Sequence, residues 1–248
     1  MKLLNEKYAV VTGANRGIGH CITEKLASEG CNIWACARKQ TDEFEADMAR
    51  LAEEYGVTVT PVYFDLADEA QIKEGFKTIY KSKLPVNILV NAAGVVNTDL
   101  FQMTPMTVMR QVFDINYFGA VTLTQLVLKL MQRQKNGSII NIASVAGIDT
   151  NPTNATYGTS KAALIHFSKI LAAETGASGI RVNVIAPGPT DTDMVETVKK
   201  AVGEHILDRC AMGRLAKPEE VAEVALFLAS DKASFVNGQV IRVDGGAN

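Results

Sequence analysis

Lys7-Tyr8-Ala9-Val10-Val11-Thr12-Gly13-Ala14-Asn15-Arg16-Gly17-Ile18-Gly19 is the stretch on which the fold turns. Its apolar, valine-rich start reads as a short buried strand. A glycine-rich turn ends that strand, and a helical pattern follows to about residue 29. Strand, glycine turn and helix in this order suit a nucleotide. Glycine permits the tight turn, and bare backbone N–H groups can approach a pyrophosphate at the positive end of the helix. The spacing is G-x-x-x-G-x-G rather than the G-x-G-x-x-G of dinucleotide folds. A structural three-glycine loop is the competing reading; the position directly after the first strand favours the nucleotide.

Working outward, residues 31–37 read as a second strand, and Arg38-Lys39 follows. Dinucleotide folds place an acidic residue about 20 positions after the glycines to hold the ribose 2′-OH. No Asp or Glu lies between Gly30 and Asp42. Arg16 and Arg38 supply instead the planar, multidentate cations that suit a 2′-phosphate, which selects NADP(H) over NAD. Strands at 57–64 and 86–90 alternate with helices at 41–55 and 68–80. The fourth strand is wholly apolar, as expected of a parallel sheet covered on both faces. A long helix is expected from the Thr104-Pro105 start to about residue 133, with Asn116 and Gly119 inside it as poor helix formers. A buried helical Asn needs partners, which marks Asn116 as a candidate functional residue.

A fifth strand at 138–143 ends at Ser144, where ligands bind in such sheets. The helix expected at 154–177 carries Tyr157 and Lys161, four apart and therefore on one face. An ammonium beside a phenol favours the phenolate, so the pair could move a proton near neutral pH. A sixth strand at 180–185 is cut off by Pro187-Gly188-Pro189-Thr190, and 188–212 reads as a polar lid over a substrate. Pro218 opens a helix to 229, and 239–243 is the last strand. The expectation is an α/β, single-domain Rossmann fold over 1–248, with a doubly wound parallel seven-stranded sheet and helices on both faces.

Net charge is −2, with both signs interleaved, which gives no footprint for nucleic acid. Cys21, Cys31, Cys36 and Cys210 form neither a C-x-x-C nor a Cys/His cluster, so a zinc site and a disulfide framework are not expected. His20, His166 and His205 lack metal-ligand spacing. The first residues contain no signal-like apolar run, and no stretch approaches the ~18 apolar residues of a membrane span. A cytoplasmic enzyme without membrane or metal is the expectation.

Thr12-Gly13 with Gly17 and Gly19, Asp65-Leu66, Asn91-Ala92-Ala93-Gly94, Asn116, Ser144, Tyr157 with Lys161, and Pro187-Gly188 with Thr192 stand in register along the chain. This ordered set resembles the short-chain dehydrogenase/reductase family over essentially the whole length. Gly213-Arg214-Leu215, Pro218-Glu219-Glu220-Val221-Ala222 and Val243-Asp244-Gly245-Gly246 resemble the branch containing 3-oxoacyl-[acyl-carrier-protein] reductases. The resemblance implies NADPH-dependent reduction of a ketone, with Tyr157 as general acid, Ser144 holding the substrate oxygen, Lys161 lowering the Tyr157 pKa and binding the nicotinamide ribose, and Asn116 carrying a relay water. It places Gly13, Asn15, Arg16, Gly17, Ile18 and Gly19 at the cofactor, with Arg38 at its 2′-phosphate. Asp65 and Leu66 would border the adenine and Asn91 the adenosine ribose, beside Ala92 and Gly94. Pro187, Gly188, Thr190 and Thr192 would lie at the nicotinamide. A 3-oxoacyl thioester is the leading substrate, with an acyl carrier protein as partner; a small alcohol, sugar or steroid is the alternative, and a non-catalytic nucleotide sensor a remote one. Departures are Ala92 in place of a second Asn, and Ala173 and Ser178 where carrier-binding cations are expected beside Lys129. The family also implies a homo-oligomer, a homotetramer or a dimer, tied to fatty acid biosynthesis.

Overall fold

The computed structural model describes residues 2–202, 207 and 210–247. Seven parallel strands lie in the order β3-β2-β1-β4-β5-β6-β7: β1 Tyr8–Thr12, β2 Asn32–Ala37, β3 Val59–Tyr63, β4 Ile88–Asn91, β5 Gly137–Ile142, β6 Ile180–Pro187 and β7 Val240–Val243. The order reverses between β1 and β4, where Thr12 pairs with Asn91. In open parallel sheets a ligand crevice forms at the carboxyl ends of the strands beside such a reversal.

Helices cover both faces. On one, α1 (Gly17–Ser28), α2 (Asp42–Tyr55) and α8 (Pro218–Ala229) bury Ile22, Leu26, Met48, Leu51 and Val221 against β1, β2 and β4. On the other, α3 (Glu69–Lys81), α5 (Ala120–Gln134) and α6 (Ala155–Thr175) bury Ile72, Ile79, Leu123, Val127, Met131 and Leu171. Truncating any of the larger of these to alanine is worth about 2–5 kcal/mol. Local signals set the helix ends. The Thr41 hydroxyl accepts from the Phe44 N–H at 3.2 Å, and Asp68 caps Ala70 and Gln71. α2 stops at Gly56, φ +67°.

The single helix expected at 104–133 is interrupted. α4 (Met106–Phe113) gives way to one π-helical turn over Asp114–Gly119 before α5 begins. Tertiary contacts impose this turn. The Asn116 amide is drawn to the Val95 backbone, and Gly119 backs so closely onto the Leu66 carbonyl that a Cβ would collide with it. Such bulges concentrate at functional sites. Of the expected 188–212 lid, α7 (Asp193–Val202) forms one helix; residues 203–206 and 208–209, including His205, lie outside the described residues. Among the described residues no helix is long and apolar enough to cross a membrane.

Candidate active site

The crevice at the β1/β4 reversal has a volume of about 520 Å³. Its floor is the glycine turn. Gly13 sits at φ +70°, and a Cβ there would stand 2.9 Å from the Ala93 Cα. A Cβ on Gly19 would run into the Gly13 carbonyl. The Thr12 hydroxyl accepts from the Ala92 and Ala93 N–H groups at 3.1 and 3.2 Å, locking the turn after β4 beside the glycines. α1 starts here with no side-chain cap and no acidic residue in its first turn. Its first N–H groups are left for an outside acceptor, the arrangement that binds a pyrophosphate. Asn15, Arg16, Gly17 and Ile18 also line the crevice, together with Arg38, Asp65, Leu66, Ala92, Gly94 and Thr192. Arg38 is exposed at the rim. Arg16 reaches across to Asp193 at the start of α7, 3.4 Å away. This cradle, which any Cβ at Gly13 or Gly19 would fill, fits a dinucleotide.

Asn91 does not line the crevice. It is 3% exposed, and its amide donates to the Thr124 hydroxyl at 3.0 Å and to the Asn141 side-chain Oδ1 at 2.7 Å. Side chains alternate along a strand; the crevice-facing position here belongs to Ala92, and Asn91 ties β4 to β5 and α5 instead. Asp65 lines the crevice but is held locally, accepting from the Ala67 N–H at 2.9 Å.

At the inner end stand Ser144, Tyr157 and Lys161. α6 lies so close to the turn Val145–Gly147 that a Cβ on Gly158 would strike the Ala146 carbonyl. This brings Tyr157 within hydrogen-bonding reach of Ser144, whose oxygen also accepts from the Ala146 N–H at 3.1 Å. Lys161, 3% exposed, donates to the Ile142 carbonyl at 2.9 Å, with its nitrogen 5.9 Å from the Tyr157 ring centre. Burial drives both groups towards neutrality. It brings Lys161 down to about 8 and pushes Tyr157 up, against the opposing pull of the Ser144 hydrogen bond. The expected depression of Tyr157 by Lys161 is not among the causes of the Tyr157 shift, which are burial and the Ser144 hydrogen bond; the ammonium is directed at the Ile142 carbonyl. Asn116, 1% exposed, accepts from the Val95 N–H at 2.8 Å and donates to the Val95 carbonyl and the Ser160 hydroxyl at 2.9 and 3.1 Å. A Cβ on Gly94 would lie 3.2 Å from both Asn116 Oδ1 and Lys161 Nζ, so the two groups meet over that glycine.

Beyond Tyr157 the crevice opens into a second chamber of about 600 Å³, continuous with the first past Ile18, Ala92, Gly94, Thr192 and Met194. Ser144, Tyr157 and Lys161 face it, as do Pro187, Gly188 and Thr190. Its walls include Val96, Val145, Val195 and Val198, the loop 149–154, Cys210 and Ala247. Arg242 holds that loop, with two hydrogen bonds of 2.9 and 2.7 Å to Asp149, and also donates to the Ala247 carbonyl at 2.8 Å. None of these wall residues was singled out from sequence. They carry no spacing signal, because they meet across 93 residues of chain. Thr12 did carry one, as a hydroxyl closing an apolar strand. Among the described residues no three His, Cys, Asp or Glu side chains gather as metal ligands.

The family model described as enoyl-(acyl carrier protein) reductase matches residues 13–248. The 3-oxoacyl-[acyl-carrier-protein] reductase of Thermotoga maritima is 38% identical over 245 residues, 98% of each chain. The 3alpha-hydroxysteroid dehydrogenase of Mediterraneibacter gnavus is 33% identical over 99% of this chain and 98% of its own. A solved structure of a candidate NAD(P)-dependent gluconate 5-dehydrogenase from Beutenbergia cavernae, with bound NADP, superposes with a TM-score of 0.91 at 32% identity, covering 98% of this chain and 97% of that one.

Proposed function

The chain belongs to the short-chain dehydrogenase/reductase family of NAD(P)-dependent oxidoreductases, and from that premise we propose that it reduces a ketone to a secondary alcohol with NADPH. The observation that carries the reading is the Ser144–Tyr157–Lys161 group at the junction of the dinucleotide crevice and the chamber. Gly13, Gly17 and Gly19 would hold the pyrophosphate of the cofactor, and Arg16 and Arg38 would take its 2′-phosphate. When bound, the cofactor supplies the hydride. The chain supplies the proton and its control. Tyr157, kept protonated by burial, donates its phenolic proton to the carbonyl oxygen as negative charge develops there. The Ser144 hydroxyl donates a second hydrogen bond to the same oxygen. Lys161 stabilises the resulting phenolate, and Asn116, beside it over Gly94, lies on the route by which a water returns the proton.

A 3-oxoacyl thioester is the leading substrate, supported by the several relatives named as 3-oxoacyl-[acyl-carrier-protein] reductases. A small alcohol, sugar or steroid is the second reading, favoured by the steroid and gluconate relatives. NADPH oxidation in the presence of a short 3-oxoacyl thioester tests the first; turnover confined to the small ketones selects the second. Tyr157→Phe lowers kcat by about 10³-fold, within the range for loss of a general acid, and leaves NADPH affinity intact. Undiminished turnover would overturn the assignment.

A further inference from the structure

Four non-glycine residues among those described have positive φ: Glu6, Lys83, Lys135 and Thr153. Lys135 is the left-handed cap that ends α5. Thr153 differs from all three. It is β-branched, the side-chain type least tolerant of its φ of +69°, and it lines the chamber beside the proton donor. A conformation of this kind persists only where the surroundings over-determine it, and it collects where a ligand is handled. The surroundings here do so. Arg242 grips Asp149 at one end of the loop, and the Gly158 N–H bonds the Asn154 carbonyl at 2.7 Å at the other. Glycine would sit in this backbone without strain, so the threonine side chain is retained at a cost to stability. Its hydroxyl has no protein partner among the described residues.

Charge narrows what that hydroxyl meets. Among the described lining residues only Lys161 and Asp149 belong to the charged types Lys, Arg, Asp and Glu; the first belongs to the proton-transfer group and the second is neutralised by Arg242. Among the described lining residues no cation is left for a carboxylate or phosphate on the substrate. We propose that Thr153 is a specificity-determining residue whose hydroxyl binds a neutral polar group of the substrate, such as a second carbonyl. The chamber then selects uncharged bifunctional ketones over keto acids and over simple ketones. The proposal rests on the ketone-reductase reading and extends it to a substrate class.

The test is steady-state reduction by wild type, T153G and T153S with NADPH and three probes: ethyl acetoacetate, with a neutral second carbonyl, acetoacetate, with a carboxylate, and 2-hexanone, with neither. Wild type is expected to prefer ethyl acetoacetate. T153G is expected to raise KM for that probe about tenfold, the loss of one good hydrogen bond, with kcat and all constants for 2-hexanone held within about threefold. T153S restores the wild-type KM, and T153G melts no lower than wild type because the strain is relieved. A threonine with only a structural role would shift both neutral probes together. Equal shifts, no shift, or a wild-type preference for acetoacetate overturns the proposal while leaving ketone reduction standing. Wild type inactive on all three overturns both.

Discussion

The two ends of the site are made of different material. At the dinucleotide end the contacts are largely backbone: a glycine turn drawn from 13–19, the uncapped start of α1 and the turn after β4 that Thr12 locks. At the chamber end they are side chains, brought together from Val96, Ser144, Thr153, Tyr157, Val195, Cys210 and Ala247. Backbone N–H groups recognise a phosphate whatever the neighbouring side chains are, so the first end tolerates little change in shape and much in sequence. The second end is the reverse. Each wall position can change without disturbing the turn that holds the cofactor, which is how one fold comes to serve many substrates.

The contrast predicts which substitutions destroy and which retune. Gly19→Val should do the most damage. Its side chain enters the space of the Gly13 carbonyl, so NADPH affinity measured by fluorescence titration should fall at least about 100-fold, equivalent to about 2.7 kcal/mol. Wild-type affinity in that variant would break the backbone account. Lys161→Met is next, and it separates stability from chemistry. Lys161 is brought from an ordinary value of 10.5 down to about 8 by burial. The unfolded chain therefore holds more protons than the folded one between those values, and stability rises with pH across that window. Removing the buried cation should raise stability at pH 7 by about 2 kcal/mol, after allowing for the lost bond to Ile142. The gain should fade between about pH 8 and 10.5, while turnover is lost at every pH. Denaturant melts across the pH series would sink this account if the gain did not vary. The smallest expected effect is at the rim: Arg38→Asp should shift the NADPH-over-NADH preference in kcat/KM by about tenfold, the worth of one exposed charge-assisted contact. An unchanged ratio would remove Arg38 from the 2′-phosphate.

Legibility in the sequence follows the same division. The glycine turn, the apolar strands and the Tyr157/Lys161 spacing are local patterns, set by chirality, helix period and the pleat, and the structure puts each where those patterns point. The π-helical turn at Asp114–Gly119 was not legible, because a continuous apolar period runs through it and the interruption comes from Val95 and Leu66 in other segments. Asn91 was misplaced for a smaller reason: a one-residue difference along a strand exchanges the two faces, so Ala92 faces the crevice and Asn91 the core. The chamber wall was invisible, since no periodicity announces that Arg242 will meet Asp149.

The reversal of strand order that opens the crevice has a kinetic consequence as well. β1 meets β2 by closing a short loop; the Cys31 thiol reaches the Lys7 carbonyl across 24 residues. β1 meets β4 only by closing a long one, as the Tyr8 N–H finds Asn87 across 79 residues. Closure entropy grows with the logarithm of loop length, and non-local parallel pairing is intrinsically slow. The glycine turn thus needs only the short closure of its own strand and helix, while the other lip of the crevice requires the longer closure that brings β4 beside β1.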